Sequence, residues 1–288
     1  MTYSAEISSV NPLLIGFLID QSSSMGEKMA GAGKFKKSEI CADHINSFLN
    51  SLILRNIDGQ NIKNRCEIFA IGYGGNNEVV SALPDVTIDD MPINLQKLQS
   101  ISKSVLKPKT IVERMPDGAG GTVEEHKKVD VNVNEWIISW AEGVTPMGGA
   151  FREAYTITKK WISSNSDNYP PIIFNITDGS WTDEDPSPVA EDLKNLKTDD
   201  GNVLVFNMSL STGNEKPVLF PDNSYLDNNN SNESVFLFRM SSNLPDKIIQ
   251  LANSLDTPIS KSARGFGYNI DFASFIKFLD IGTRPAMG

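Results

Sequence analysis

The fold of this chain is decided by a stretch near its N-terminus, Leu13-Leu14-Ile15-Gly16-Phe17-Leu18-Ile19-Asp20-Gln21-Ser22-Ser23-Ser24-Met25-Gly26. An unbroken apolar run ends at a carboxylate, Asp20, and hydroxyls follow at Ser22 and Ser24. A short apolar run of this kind, followed by turn-forming residues, is typical of a buried strand. We therefore expect a strand whose carboxyl end carries all three polar side chains.

The three side chains form a cluster of hard oxygen donors, which are the ligands that Mg²⁺ prefers. Ligands of open α/β sheets bind in the crevice at the carboxyl ends of the strands, so the chemistry and the expected location agree. The alternative interpretation is that Ser22 or Ser24 merely caps the following helix. The stretch thus predicts a candidate cation site but does not prove one.

The composition describes an ordinary globular protein. The chain has 288 residues, of which 40% are hydrophobic and 22% are charged, as in folded rather than disordered proteins. Its apolar runs are shorter than a membrane span and its first residues lack the pattern of a signal peptide, so we expect a cytoplasmic protein. Cys41 and Cys66 offer neither a disulfide framework nor zinc-ligand spacing, and we expect buried free thiols.

The net charge argues against two classes of partner. The formal charge is −10 and the pI is about 4.8. Binding to nucleic acid depends on Lys and Arg that neutralise phosphates, and the sequence shows no basic stripe. An acidic protein is also a poor ligand for anionic membranes.

Strands and helices alternate along most of the chain, which indicates a Rossmann-like α/β fold with a doubly wound, mainly parallel sheet flanked by helices. We predict strands at Arg65–Tyr73, Glu78–Leu83, Ile172–Thr177, Val203–Met208 and Val235–Arg239, besides the first one. We predict helices at Phe35–Leu54, after Pro146, near Pro188–Leu196, after Pro245 and near Asp271–Asp280.

We interpret the chain as a single domain over residues 11–288. Residues 85–135 form an insertion with a mobile loop, because a possible helix at Leu95–Val105 is followed by prolines and a glycine-rich run. Residues 211–288 form a C-terminal extension of strands and helices, packed on the same domain.

Two further segments bring oxygen donors to the same edge of the predicted sheet. Asp178 follows the central strand, and Thr145 lies in a tight loop before a helix. Each has a simpler interpretation, since Thr145 can cap a helix that begins at Pro146 and Asp178-Gly179 can be an ordinary turn. Their joint occurrence favours one metal site made of Asp20, Ser22, Ser24, Thr145 and Asp178, with a position left for an incoming carboxylate.

The sequences Asp20-Gln21-Ser22-Ser23-Ser24, Thr145-Pro146-Met147-Gly148 and Thr177-Asp178-Gly179 resemble the metal-ion-dependent adhesion site of von Willebrand factor A (VWA) domains. The resemblance covers about residues 11–210, apart from the insertion. It implies that Ser22, Ser24 and Thr145 bind the cation directly, while Asp20 and Asp178 act mainly through water. Mg²⁺ is the expected cation, with Mn²⁺ and Ca²⁺ as alternatives, since all three accept oxygen ligands.

The C-terminal part resembles bacterial stand-alone cytoplasmic VWA proteins of the tellurium-resistance, stress and phage-conflict type. The similar segments are Asp199-Asp200-Gly201-Asn202-Val203-Leu204, Phe220-Pro221-Asp222, Leu237-Phe238-Arg239-Met240-Ser241-Ser242 and Phe278-Leu279-Asp280-Ile281-Gly282-Thr283-Arg284. Some such proteins are encoded beside a protein kinase and a PP2C-type phosphatase. The resemblance therefore implies a protein partner, which supplies Asp or Glu to the metal, and names a kinase and phosphatase system as a candidate.

Three functions remain open at this point. The first is a metal-dependent protein-binding module that has no enzymatic activity. The second is a metal-dependent hydrolase, although the chain has no hydrolase motif and Gly31-Ala32-Gly33-Lys34 lacks the spacing of a phosphate-binding loop. The third is a structural subunit in which the metal only stabilises loops.

Overall fold

A computed structural model describes residues 3–29, 34–116, 121–210, 216–227, 231–254, 258–269 and 272–283. The strands are β1 (Leu13–Gln21), β2 (Ile57–Asp58), β3 (Asn61–Ile62), β4 (Cys66–Gly74), β5 (Glu78–Ser81), β6 (Ile93–Asn94), β7 (Lys103–Pro116), β8 (Thr122–Glu135), β9 (Ile172–Thr177), β10 (Leu204–Ser209), β11 (Val218–Leu219) and β12 (Phe266–Tyr268). The helices are α1 (Lys37–Arg55), α2 (Leu95–Ser100), α3 (Met147–Ile162), α4 (Ser187–Asn195), α5 (Asn232–Met240), α6 (Asp246–Ser254) and α7 (Phe272–Thr283).

The central sheet has the order β11-β12-β10-β9-β1-β4-β5, and β6 also pairs with β4. The pairings from β12 through β10, β9 and β1 to β4 are parallel, whereas β5, β6 and β11 join antiparallel. This architecture confirms the predicted α/β class with a mainly parallel sheet. Because β1 lies between β4 and β9, the carboxyl ends of these strands meet at one edge of the sheet.

Successive residues of a strand point to opposite faces of the sheet, and helices cover both of these faces. On one face Phe17 of β1 contacts Phe48 of α1, and Phe174 of β9 contacts Phe278 of α7. On the opposite face Asn175 approaches Met147 of α3. The strands are therefore buried from both sides, which explains the continuous apolar run of β1.

The face toward α3 carries a feature that we call the buried polar chain, made of Tyr73, Asn175, Asn207 and Ser241. The Tyr73 hydroxyl donates to Asn175 Oδ1 over 2.8 Å, and Asn175 Nδ2 donates to Asn207 Oδ1 over 2.9 Å. Asn207 Nδ2 then donates to Ser241 Oγ over 3.0 Å. The chain of bonds crosses from β4 through β9 and β10 to the end of α5, so polar side chains in the core are satisfied by one another.

Several elements predicted from sequence are confirmed. The helix predicted over Phe35–Leu54 is α1, and the hairpin partner of β4 is β5. The helix after Pro146 is α3, and its predicted apolar face is buried. Cys41 and Cys66 are buried thiols, and burial raises the pKa of Cys66 to about 12. These elements depend mainly on the spacing of apolar residues along the chain.

Two elements differ from the prediction. The strand predicted at Val235–Arg239 is wrong, because these residues lie in α5. Ser231 begins that helix by accepting a hydrogen bond from the Ser234 amide, and a short apolar run fits a buried helix as well as a strand. The helix predicted over Leu95–Val105 ends at Ser100, because the chain has already entered β7 at Lys103.

Residues 103–116 and 122–135 form a long two-stranded antiparallel ribbon, in which β7 pairs with β8 along its whole length. Lys107 fixes its base by ion pairs with Asp43 of α1 and Glu135. Residues 117–120 of the glycine-rich run lie outside the described residues. No helix among the described residues has the length and apolarity needed to cross a membrane.

One of the chain's two histidines lies in the core. His44 is buried in α1, with its ring edge-on to Phe275 at a centroid distance of 4.7 Å. It is a core histidine rather than a residue of the predicted site. Residues 31–33 of the glycine-containing loop lie outside the described residues.

Candidate metal centre

The pairing of β1 with β9 brings the two predicted aspartates to the same edge of the sheet. Ile19 is opposite Ile176 in this pairing, so Asp20, near the end of β1, lies beside Thr177, and Asp178 directly follows β9. The Thr177 hydroxyl donates to Asp20 Oδ2 over 2.6 Å. Sequence analysis did not select Thr177, yet this residue holds one of the two carboxylates in place.

Asp20 is buried, with 1% of its surface exposed. Its other carboxylate oxygen, Oδ1, accepts a hydrogen bond from the Ser22 amide over 2.9 Å. Burial raises the pKa of Asp20 to about 6, and the charge of Asp178 adds to the effect, while the bonds from Ser22 and Thr177 oppose it. A cation at this edge would favour the ionised form of both carboxylates.

The hydroxyls of Ser22 and Ser24 lie together, with 3.1 Å between their Oγ atoms. Ser22 is buried and Ser24 is half-buried. A single 3-10 turn follows at Ser23–Gly26, and the Ser22 side chain makes no capping hydrogen bond to it. The capping interpretation therefore does not explain Ser22.

Thr145 is brought to the same edge by the segment before it. The Glu142 amide donates to the Gln21 carbonyl over 2.8 Å, and the Ser23 amide donates to the Gly143 carbonyl over 3.1 Å. Gly143 has a φ of +73°, and a Cβ at this position would overlap the Gly75 backbone. Glycine is therefore required where this loop passes the ends of β1 and β4.

Thr145 does not serve as the cap of α3. That helix begins at Met147 without a side-chain cap from the residue before it. Asp183 takes this role, since its carboxylate accepts from the Gly148 amide over 3.1 Å and from the Gly149 amide over 2.8 Å. Thr145 itself is fixed through its backbone, because its amide donates to Thr182 Oγ1 over 2.8 Å and its carbonyl accepts from the Thr182 amide over 3.0 Å.

Asp178 has a partner that sequence analysis missed. The Lys37 ammonium lies 3.1 Å from Asp178 Oδ2 and 3.1 Å from Glu27 Oε2. The side chain of Lys37 is 4% exposed, compared with 10% for Asp178 and 59% for Glu27. In the sequence nothing separates Lys37 from its neighbours Lys34 and Lys36, so only the folded chain reveals this ion pair.

The chemistry of this edge fits a hard divalent cation. Ser22, Ser24 and Thr145 supply hydroxyl oxygens, and Asp20 and Asp178 supply two nearby carboxylates. Among the described residues there is no cluster of three or more His, Cys, Asp or Glu that could bind a metal. A cation here would therefore depend on hydroxyls and water, as Mg²⁺ does when it keeps much of its hydration shell.

The surroundings of the site are partly apolar. Trp181, which follows Asp178 by three residues, is half-buried and stacks on Phe236 of α5 with ring centroids 4.1 Å apart. Trp181 is therefore a packed aromatic residue. A groove of about 610 Å³ opens between Gln21, at the end of β1, and the exposed side chains of Ile138 and Trp140.

No protein-family model and no curated protein sequence matches this chain. Solved structures that match this chain include an aerotolerance-related membrane protein from Bacteroides fragilis, at 11% identity and a TM-score of 0.39, covering 95% of this chain and 98% of that chain. The vWF domain of the type V pili tip protein Mfa5 from Porphyromonas gingivalis has 14% identity and a TM-score of 0.32, covering 86% of this chain and 51% of that chain.

The PilB minor pilin from Streptococcus sanguinis has 9% identity and a TM-score of 0.47, covering 96% of this chain and 62% of that chain. This chain thus spans about half of the Mfa5 structure and about three fifths of the pilin. Likenesses at this distance do not identify what the chain binds.

Proposed function

We propose that this chain is a VWA-type protein-interaction module whose cation is completed by an acidic residue of a partner protein. The observation that carries the proposal is the placement of Asp20, Ser22, Ser24, Thr145 and Asp178 at one sheet edge. The Ser22 and Ser24 hydroxyls are 3.1 Å apart, and a different residue, Asp183, caps α3. Neither Ser22 nor Thr145 therefore uses its hydroxyl as a helix cap.

In this proposal Ser22, Ser24 and Thr145 bind the cation directly, and Asp20 and Asp178 hold its water ligands. Mg²⁺ is the expected cation, with Mn²⁺ or Ca²⁺ as alternatives. The bound cation supplies a positive charge that a carboxylate of the partner can coordinate. Neutral hydroxyl ligands suit this purpose, because they leave most of the cation's charge for the partner.

A binding role is favoured over a purely structural metal, because protein bonds already join the loops of the site. The Ser23 amide is bonded to the Gly143 carbonyl, and the Thr145 backbone is bonded to Thr182, by direct hydrogen bonds. A metal whose role was only to join these loops would add little to their stability. Removal of the cation should therefore reduce binding to a partner more than it reduces folding stability.

The partner we propose is a protein with an exposed Asp or Glu, in a bacterial stress-response or defence system with a kinase and phosphatase. The groove beside Gln21, with exposed Ile138 and Trp140, offers apolar contact area next to the place where the partner's Asp or Glu would bind the cation. Aromatic residues in such positions often carry much of the binding energy of an interface.

The first test is the affinity for Mn²⁺, measured by calorimetry or electron paramagnetic resonance. We expect Ser24→Ala to weaken Mn²⁺ binding by at least tenfold, because a direct ligand is lost. Ser23→Ala is the matched control, since Ser23 is exposed and its bond to Gly143 uses only its backbone. Equal affinities for the two variants and the wild type would contradict the proposed ligand set.

The second test is capture of partners from native extract with three baits. They are the wild-type chain in Mg²⁺, the wild-type chain in EDTA, and the Ser24→Ala variant in Mg²⁺. A partner retained only by the first bait, and lost when its own acidic residue is replaced by the amide, supports the interface. The same partners on all three baits would exclude a metal-completed interface.

A further inference from the structure

Lys37 occupies an unusual position for a lysine. It is the first residue of α1, where the positive end of the helix dipole disfavours a cation. Its side chain is also almost fully buried, at 4% exposure, and a buried charge is costly unless it is paired. Asp178 and Glu27 pair it, so the fold keeps a positive charge beside one carboxylate of the candidate metal centre.

The backbone around Lys37 holds this arrangement in place. The Lys37 amide donates to the Glu27 carbonyl over 2.9 Å, and the Met29 amide donates to the Phe35 carbonyl over 3.0 Å. The segment that leaves the Ser22–Ser24 turn is thus tied back to the start of α1. Lys37, at the start of α1, is thus held beside the segment that follows the two serines.

Charge balance gives this lysine a specific effect. Asp20 and Asp178 together carry two negative charges, which a divalent cation alone would neutralise. With Lys37 in place, a bound divalent cation leaves one positive charge in surplus, which the carboxylate of a partner cancels. Glu27 offsets this surplus only in part, because its side chain is 59% exposed and water screens its charge.

We propose that Lys37 is a built-in counter-cation of the site, which keeps the affinity for the free divalent cation low and reserves its charge for an acidic partner. The inference rests on the proposed function and names how its site is regulated. Cation and partner then bind with positive coupling, since each supplies charge that the other needs. Lys37 acts through Asp178, so it is a positioning residue rather than a ligand.

The test compares Mn²⁺ affinity in the full chain at fixed ionic strength. Lys37→Met removes the charge while it keeps the length of the side chain, and we expect Mn²⁺ to bind on the order of tenfold tighter. Lys37→Arg keeps the charge and should stay within about twofold of the wild type. Lys36→Met, at an exposed neighbour, changes the net charge equally and should also leave the affinity unchanged.

A purely structural role for Lys37 predicts a different result. In that case Lys37→Met lowers the melting temperature in EDTA and leaves Mn²⁺ affinity equal or weaker. If Lys37→Met destabilises the fold, Lys37→Gln provides a second neutral variant, and affinity is measured well below its melting temperature. An equal or weaker affinity in both neutral variants overturns the inference.

The same series separates this inference from the proposed function. Wild-type binding that is lost in Ser24→Ala but unchanged in both neutral Lys37 variants overturns the inference alone. If the wild type binds no Mn²⁺ but Lys37→Met does, the inference is supported in its strongest form. If no variant binds Mn²⁺, both the inference and the proposed function are wrong.

Glu27 allows a double-mutant cycle. Glu27→Gln removes one of the two carboxylates that pair with Lys37, so more of the lysine's charge acts on Asp178. We therefore expect Mn²⁺ affinity to fall severalfold in the wild-type background. In the Lys37→Met background the same substitution should change the affinity less than about twofold. Equal effects in the two backgrounds would contradict a role for Glu27 through Lys37.

Discussion

The candidate metal centre and the buried polar chain are built on neighbouring strands of one sheet, yet their polar groups find different partners. In the buried polar chain, Asn175 both accepts from Tyr73 and donates to Asn207, so neutral side chains satisfy one another. At the edge of the sheet, by contrast, Asp20 and Asp178 carry charged side chains, and the Oγ atoms of Ser22 and Ser24 lie 3.1 Å apart. A closed set of hydrogen bonds stabilises a fold, whereas an open set of oxygen donors can bind a ligand.

The largest effect is expected from a break in the buried polar chain. Asn175→Leu leaves the Tyr73 hydroxyl and Asn207 without their partner in the core, and we expect a loss of about 3 kcal/mol in the free energy of unfolding. The same variant should bind Mn²⁺ as the wild type does, when measured below its melting temperature. Chemical denaturation checks the first effect, and calorimetry checks the second.

Asn132→Leu is the control for Asn175→Leu, because Asn132 is an exposed ribbon residue. Its unfolding free energy should stay close to that of the wild type. If Asn175→Leu abolished Mn²⁺ binding in a folded protein, the separation between the two regions would be wrong.

Thr177 connects the two regions, because its side chain is also hydrogen-bonded to Tyr73, and its replacement should affect both. Its hydroxyl donates to Asp20 and accepts from the Gly179 amide over 3.0 Å. Thr177→Val keeps the shape of the side chain but removes both bonds, so we expect a loss of about 2 kcal/mol in unfolding free energy and weaker Mn²⁺ binding. Thr177→Ser retains the hydroxyl and should restore most of the affinity; a Thr177→Val protein with unchanged affinity would show that Asp20 needs no help from Thr177.

The smallest effect is expected from the ribbon. Lys107 and Val131 are directly opposite each other, so residues 108–130 can be replaced by a two-residue Asn-Gly turn. The shortened protein keeps the ion pairs of Lys107 at the base. We expect a change within about 0.5 kcal/mol in unfolding free energy and no change in Mn²⁺ affinity. A large loss of stability would show that the ribbon contributes to the core, and a large loss of affinity would show that it contributes to the site.

The ribbon also shows where a sequence signal was available and was not used. Val129, Val131 and Val133 alternate with polar residues, which is the period of a half-exposed strand. Pro108, Pro116 and the glycine-rich run favoured a loop instead. The alternation is the better guide here, because a two-stranded ribbon tolerates proline on its outer edges.

The short apolar run at Val235–Arg239 did not distinguish a strand from a helix. Its apolar residues fit a buried strand, but α5 packs Leu237 and Phe238 into the core as a helix. The β-strand that does extend the sheet, β12, is only Phe266–Tyr268 and follows a stretch with no strand pattern. In segments this short, contacts with the rest of the protein decide the secondary structure.

The sequence by itself determined the features that depend on neighbours along the chain. These are the buried strand that ends at Asp20, the spacing of Ser22 and Ser24 behind it, and the apolar faces of α1 and α3. Local spacing is enough for them, because strand and helix periodicity repeat within a few residues.

Only the tertiary structure decided which residues complete the site. Lys37 reaches Asp178 across 141 positions of sequence, and Asn175 meets Tyr73 across 102. Asp183, rather than Thr145, caps α3 because a later loop folds back onto the helix. Such pairs depend on strand order and loop closure, which bring distant residues together without leaving a local pattern in the sequence.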